Sequence, residues 1–378
     1  MVRKKVCIAT GTRADWGILS PLASALREDD RVELQILATN MHLLDEYGHT
    51  ADEIEAAGFG IDAPVRISYD GAGALARAVA MGECVTGSAN AFDRLKPDAV
   101  IILGDRFEML AVTSAAAVML IPIIHISGGE TTGGAIDDSI RHAITQLASL
   151  HLVSAEPYRR RVIGMGKDPS TVINTGSLGV WNMINHPYMT RGELCAALGI
   201  DCEKPFIVAT FHPATLDPEP PRLRCRAMLD ALDMFPDLNV ILTYPNNDTG
   251  SEEIIEEIEK WACERSGRVA LVKSLGLYRY LSAIREAEFV IGNSSSGIIE
   301  VPSVGTPVVN IGMRQQGRLH GDGVIDCGDT CVDIAEAIRR ALTPEFRQKA
   351  REAVNPYYAP DTLARTTEAV LDFIKCTN

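Results

Sequence analysis

Compact apolar runs of four or five residues, rich in Val, Ile, Leu and Ala, recur along this chain, and each is followed by a stretch of helical character. Five occupy residues 6–9, 33–37, 99–103, 122–126 and 171–174; five more occupy 206–209, 239–243, 269–272, 288–291 and 307–311. Strands that are apolar on both faces belong to parallel sheets covered by helices. Two such series predict an α/β fold of two doubly wound domains. The 378 residues suffice for both, at about 150 residues per domain. The composition turns polar near residues 176–204. The expected division is therefore an N-terminal domain over 1–180 and a C-terminal domain over 181–359, with a final helix in 360–378 packing back on the first.

Composition narrows the function. A 46% apolar, 23% charged chain is ordinary globular material,. Its net charge of −14 argues against a nucleic-acid surface,. No apolar run approaches the ~18 residues of a membrane span, so no membrane partner is expected. The opening MVRKKVCIATG has the charges of a short signal peptide, but its apolar run is only strand-length and enters a glycine turn,. Together with nine cysteines lacking any C-x-x-C spacing, this makes a cytoplasmic chain the expectation. Cys327 and Cys331 have no histidine cluster beside them, so no zinc is expected,.

In open α/β sheets, ligands bind at the carboxyl ends of the strands, and here those ends carry chemistry. Residues 293–300, NSSSGIIE, follow the run ending at Gly292. Their hydroxyls and first-turn N–H groups suit a phosphate, and Glu300 suits a ribose diol. Read alone, the segment is a Ser-rich cap. Gly11 ends the first run, with Arg13 as a phosphate ligand or a solvated side chain. Asp105 and Arg106 follow the strongest run of the first half, with Asp105 as an acid or a helix cap. Glu130 stands after two glycines, and Asp137 and Asp138 open a helix that brings Arg141 and His142 one turn later. Three carboxylates (Asp105, Glu130 and Asp137) at neighbouring strand ends can hold an acid and a base near neutral pH. In the second half His212 follows a buried run as a candidate acid or phosphate ligand. Asn246, Arg314 and Arg318 also follow runs, and either arginine can clamp a diphosphate. His42, His49, His151, His186 and His320 read as structural or surface residues.

The segments GTRADWG (11–17), GDRFEML (104–110), HISGGETTGGAIDDSIRHAIT (125–145), FHPAT (211–215), YPNNDTGS (244–251), GNSSSGIIE (292–300) and GTPVVNIGMRQQGR (305–318) together resemble the hydrolysing UDP-N-acetylglucosamine 2-epimerases of sialic acid synthesis. The resemblance implies a GT-B-like fold, two Rossmann-like domains facing across a cleft. It also implies a reaction in which UDP leaves C1 by elimination as the C2 proton is lost. Water then adds to 2-acetamidoglucal, giving N-acetylmannosamine. It places Asp105, Glu130 and Asp137 among the catalytic acids, His212 near the leaving diphosphate and His142 in support of the acidic loop. Arg13, Asn246, Ser294, Ser295, Glu300 and Arg318 match its nucleotide contacts, and Arg106, read from its place beside Asp105, is expected to orient that acid or bind substrate. No metal or redox cofactor is expected, and a homodimer or homotetramer is. Relatives acting on UDP-N,N'-diacetylbacillosamine share the motifs, and a GT-B glycosyltransferase is the reading from another class. Thr131–Ala135 and Asn40–His42 are expected to face C4 and C6 of the sugar.

Overall fold

The computed structural model describes residues 3–44, 50–68, 73–133, 136–214, 217–246, 248 and 250–376. His49, Gly134, Ala135 and Asn247, which the sequence reading touched, lie outside them. The chain divides into two compact units. Unit 1 comprises Met1–Glu130, Ile136–Trp181 and Tyr357–Asn378; unit 2 comprises Thr131–Ala135 and Asn182–Pro356.

Unit 1 contains seven strands: β1 (Lys4–Thr10), β2 (Val32–Thr39), β3 (Ala63–Val65), β4 (Ala99–Leu103), β5 (Ile123–Ile126), β6 (Leu150–Val153) and β7 (Val172–Asn174). All pair in parallel, in the order β3-β2-β1-β4-β5-β6-β7. Unit 2 contains β8 (Phe206–Thr210), β9 (Asn239–Thr243), β10 (Val269–Val272), β11 (Val290–Gly292), β12 (Val308–Ile311) and β13 (Val324–Cys327), parallel in the order β10-β9-β8-β11-β12-β13. Each order runs outward in both directions from a central strand. The sheet therefore has a switch point between β1 and β4 in unit 1, and between β8 and β11 in unit 2. Connections leave those neighbours toward opposite faces and open a crevice at their carboxyl ends.

Alternation along the strands builds a core on each face of the unit 1 sheet. Val6 and Ile8 join one core with Trp16, Leu19 and Leu22, whereas Cys7 and Ala9 join the other with Phe92, Phe107 and Val112. The C-terminal helix Thr362–Cys376 places Val370, Leu371 and Ile374 in the first of these. Unit 2 packs Met228, Leu232, Ile258 and Trp261 against β8, β9 and β11. Among the described residues no helix is long and apolar enough to cross a membrane.

Three buried histidines make the fold acid-sensitive. Burial pushes His125 down to about 3, and His42 and His151 down to about 4. His151, in the middle of β6, finds no protein partner for either ring nitrogen among the described residues. All three folded values lie below the ordinary 6.5, so the unfolded chain takes up protons first as pH falls. Stability from this source is complete above about pH 6.5. It declines toward the folded values by up to about 1.4 kcal/mol per pH unit for each histidine. His151→Leu should flatten the fall of the unfolding temperature between about pH 6.5 and 4.5; a decline as steep as the wild type's would contradict this.

Candidate functional site

At the unit 1 switch point, β1 runs into Gly11 and a capping box. Thr12 accepts from the Asp15 N–H at 3.2 Å, and Asp15 Oδ2 accepts from the Thr12 N–H at 3.1 Å. This starts the helix Arg13–Glu28 directly at the strand end,. Arg13 lies 3.8 Å from Glu53. On the other side of the crevice, Arg106 is the N-cap of the helix Phe107–Val118, and its Nε donates to Glu108 Oε1 at 2.7 Å.

The acidic groups are gathered by one residue. Arg141, buried in the helix Asp137–Leu147, donates from Nη2 to Asp105 Oδ2 and from Nη1 to the Ser127 carbonyl at 2.9 Å. The same Nη1 stands 3.6 Å from Glu130 Oε2. Ser154, just past β6, donates to Glu130 Oε1 at 2.6 Å. Asp105 and Glu130, at the ends of adjacent β4 and β5, are thus held around one buried guanidinium. They differ in access: the Asp105 side chain is 20% exposed and that of Glu130 only 2%.

Backbone geometry sustains the arrangement. Ser127 takes a left-handed φ of 63°. Gly129, at φ 77°, lies where a Cβ would come 2.9 Å from the Tyr158 carbonyl. His125 donates from Nε2 to the Gly104 carbonyl at 2.8 Å, which fixes its neutral tautomer beneath the Asp105 turn,. Asp137 is the first residue of its helix. His142 lies 3.6 Å from Asp138, one turn back, and burial lowers its pKa. The structure thus pairs His142 with Asp138.

At the unit 2 switch point, Asn293 ties β8 to β11. Its Oδ1 accepts from the His212 N–H at 2.7 Å and its Nδ2 donates to the His212 carbonyl at 2.8 Å. His212 Nδ1 accepts the Asn246 N–H at 3.2 Å, so a neutral ring carries its proton on Nε2,. Ser294 caps a helix of only five residues, Ser295–Ile299, without a side-chain capping bond. Such a short helix offers first-turn N–H groups and hydroxyls more than a macrodipole. Glu300 follows at its C-cap, and Tyr280 donates to Ser296 Oγ at 2.6 Å.

The two arginines after β12 are engaged with protein. Arg314 donates to the Asn293 carbonyl at 3.0 Å. Arg318 donates to the Thr131 carbonyl at 3.1 Å and to Thr132 Oγ1 at 2.9 Å, while Thr131 Oγ1 donates to the Gly317 carbonyl at 2.8 Å. His42 is locked between the hydroxyls of Thr10 and Thr50, each at 2.9 Å. A cavity of about 580 Å³ in unit 1 is lined by Trp181, Leu371 and charged side chains including Arg31 and Glu368, with none of the strand-end residues in its wall.

Sequence reasoning missed Arg141, Ser154, Asp15, Glu108 and Asn293. Arg141 was visible only as an arginine one turn into an acid-capped helix. The others carry the common signatures of caps and turns.

Comparison with known proteins places this geometry in a lineage. The chain is 37% identical to the GDP/UDP-N,N'-diacetylbacillosamine 2-epimerase (hydrolyzing) of Campylobacter jejuni, over 92% of this chain and 90% of that one. It is 36% identical to the polysialic acid biosynthesis protein P7 of Escherichia coli, over 99% and 95%. The structure of the Neisseria meningitidis UDP-GlcNAc 2-epimerase bound to UDP-GlcNAc superposes with a TM-score of 0.80 over 97% of this chain and 100% of that one; at 17% identity it shows the shared GT-B-like two-domain fold. With residues 24–371 matching the model of the family described as UDP-N-acetylglucosamine 2-epimerase, the chain belongs to that family.

Proposed function

We propose that the protein is a hydrolysing UDP-sugar 2-epimerase that converts UDP-N-acetylglucosamine to N-acetylmannosamine and UDP. The observation that carries this reading is the Asp105–Arg141–Glu130 arrangement, two carboxylates held by one buried guanidinium at adjacent strand ends. A glycosyltransferase that only moves a sugar to an acceptor has no need of paired acids for C2. In the elimination, Asp105, the more accessible carboxylate, takes the C2 proton while the C1–O bond breaks and its electron pair leaves with UDP. In the hydration, a proton returns to C2 and water supplies the C1 hydroxyl. Unit 2 meets the leaving diphosphate with the Nε2–H of His212 and the donors of Ser294 and Ser295, where negative charge develops. Glu300 takes the ribose.

The nucleotide half is tested by calorimetry. Ser294→Ala with Ser295→Ala should weaken UDP binding by about 10-fold or more, since a hydrogen bond to a charged group is worth ~1.5–3 kcal/mol. Unchanged affinity would move the nucleotide elsewhere.

One observation favours the diacetylbacillosamine nucleotide, the substrate named for the Campylobacter relative. The Thr131 and Thr132 hydroxyls, which together with Asn40 are the polar groups expected to favour a hydroxyl-bearing sugar, are already engaged with Gly317 and Arg318. A site with fewer polar groups available for C4 and C6 discriminates less against a methyl sugar. Side-by-side kcat/KM values decide; a markedly higher value for the diacetylbacillosamine nucleotide overturns the choice of sugar and keeps the reaction.

A further inference from the structure

A tyrosine hydroxyl reaches the serine run of unit 2 from a separate helix. The helix Gly276–Glu286 carries the chain from β10, at the sheet edge, back to β11 at the switch point. Leu281, Ala283 and Ile284 are its buried apolar residues. Tyr280, half-buried on the same helix, donates from its hydroxyl to Ser296 Oγ at 2.6 Å. Phenylalanine would fill the same space, so packing alone does not ask for the oxygen; a phenol placed off the solvent keeps a hydrogen-bond partner. Burial, together with the negative charge of Glu300, raises the phenol's pKa, so Tyr280 stays protonated and able to donate.

Of the serines at 294, 295 and 296, only Ser296 has its hydroxyl held by protein among the described residues. The direction of that bond matters. A serine hydroxyl has one proton to give and two lone pairs to accept with. Tyr280 occupies one lone pair and so limits the rotation of the Ser296 hydroxyl, whose own proton no described residue accepts. A hydroxyl that accepts one hydrogen bond donates a stronger one. Its best acceptor is a charged oxygen, and a diphosphate supplies several. Ser296 also stands next to the groups assigned to the nucleotide. It follows Ser295 directly, and its carbonyl accepts the Glu300 N–H at 2.9 Å.

We propose that Ser296 is a third hydroxyl donor to the diphosphate of the nucleotide, and that Tyr280 is the positioning residue that orients it. This rests on the UDP site proposed above. The test is calorimetry with UDP on the full chain as wild type, Tyr280→Phe, Ser296→Ala and the double variant. Ser296→Ala should weaken UDP binding by about 10-fold or more, the usual loss of a hydrogen bond to a charged group, and Tyr280→Phe by about 3-fold or more. Added to Ser296→Ala, Tyr280→Phe should cost no more than about two-fold further, because the hydroxyl it orients is gone. A tyrosine that only packs would cost as much without Ser296 as with it. The ³¹P signals of bound UDP should shift in Tyr280→Phe as they do in Ser296→Ala, a change at the phosphates that loosened packing of the helix does not bring. Wild-type affinity in Tyr280→Phe, additive losses in the double variant, or ³¹P signals unmoved in Tyr280→Phe overturn the proposal. Should Tyr280→Phe fail to fold, Ser296→Ala decides, and UDP affinity equal to that of the wild type overturns it. The Ser294→Ala, Ser295→Ala variant separates the two failures. UDP binding weakened there but not in Tyr280→Phe rejects the proposal alone, whereas binding unchanged in both removes the UDP site as well.

Discussion

Asp105→Asn is expected to lower turnover by about 10²–10⁴-fold, the usual cost of removing a general acid or base, while UDP affinity stays near that of the wild type. Asparagine keeps the shape and one acceptor for Arg141 Nη2 but takes up no proton. The groups proposed above to hold the diphosphate and ribose (His212, Ser294, Ser295 and Glu300) all come from unit 2, so binding of UDP alone should register little of the change. Glu130→Gln should lose turnover to a similar degree, with a further effect. Glu130 is buried between Ser154 and Arg141, and neutralising it leaves the guanidinium with one carboxylate fewer. That variant should also lose stability, by about 1–3 kcal/mol, whereas Asp105→Asn, at a more exposed position, should not lose as much. Steady-state UDP release, calorimetry with UDP and thermal unfolding separate the two roles. Near-normal turnover in both variants contradicts the assignment of the acidic groups.

Gly292→Ala is expected to be the most damaging single methyl addition in unit 2. Gly292 pairs with Thr210 across β11 and β8, at the switch point itself. Its φ is 138°, and a Cβ built there would lie 1.8 Å from the Thr210 carbonyl oxygen. Neither rotation nor a flexible neighbour relieves a clash with backbone, so the strands must part. Strain at such a φ and forced repacking each cost about 1–3 kcal/mol, so the loss should be at least about 2 kcal/mol. Separation of β8 from β11 also pulls Asn293 from His212, so the variant should bind UDP poorly even where it folds. An alanine variant with wild-type unfolding temperature and UDP affinity contradicts this view of the crevice.

Strands such as β4 and β8 were legible in the sequence because little interrupts their apolar runs. The strands that escaped notice have identifiable reasons. β3 is three residues long, lies at the sheet edge and contains Pro64, where the missing N–H does least harm. β13 is the opposite edge of the other sheet and carries Asp326. β6 is interior, but it follows the helix that ends at Leu147 so closely that its leucines read as a continuation of that helix. In the site, residues placed by the strand-end rule were easy to nominate: Asp105, Glu130, His212 and Ser294 each follow a strand directly. Arg141 was not, because its role depends on a helix turning it back over two strand ends, and nothing in the local pattern distinguishes it from a solvated arginine. Glu108 hid for the opposite reason. It stands in the first turn of a mostly apolar helix, where an acid reads as a favourable interaction with the helix dipole, and its burial depends on Gly11, almost a hundred residues away in the chain.

The central claim, that this chain cleaves a UDP-sugar by abstracting and returning the C2 proton, is tested most directly by NMR of the sugar product formed from UDP-N-acetylglucosamine in heavy water, with no acceptor present. The account predicts release of UDP together with N-acetylmannosamine carrying deuterium at C2. Release of UDP with N-acetylglucosamine retaining its C2 proton, or no release until an acceptor is added, would contradict it.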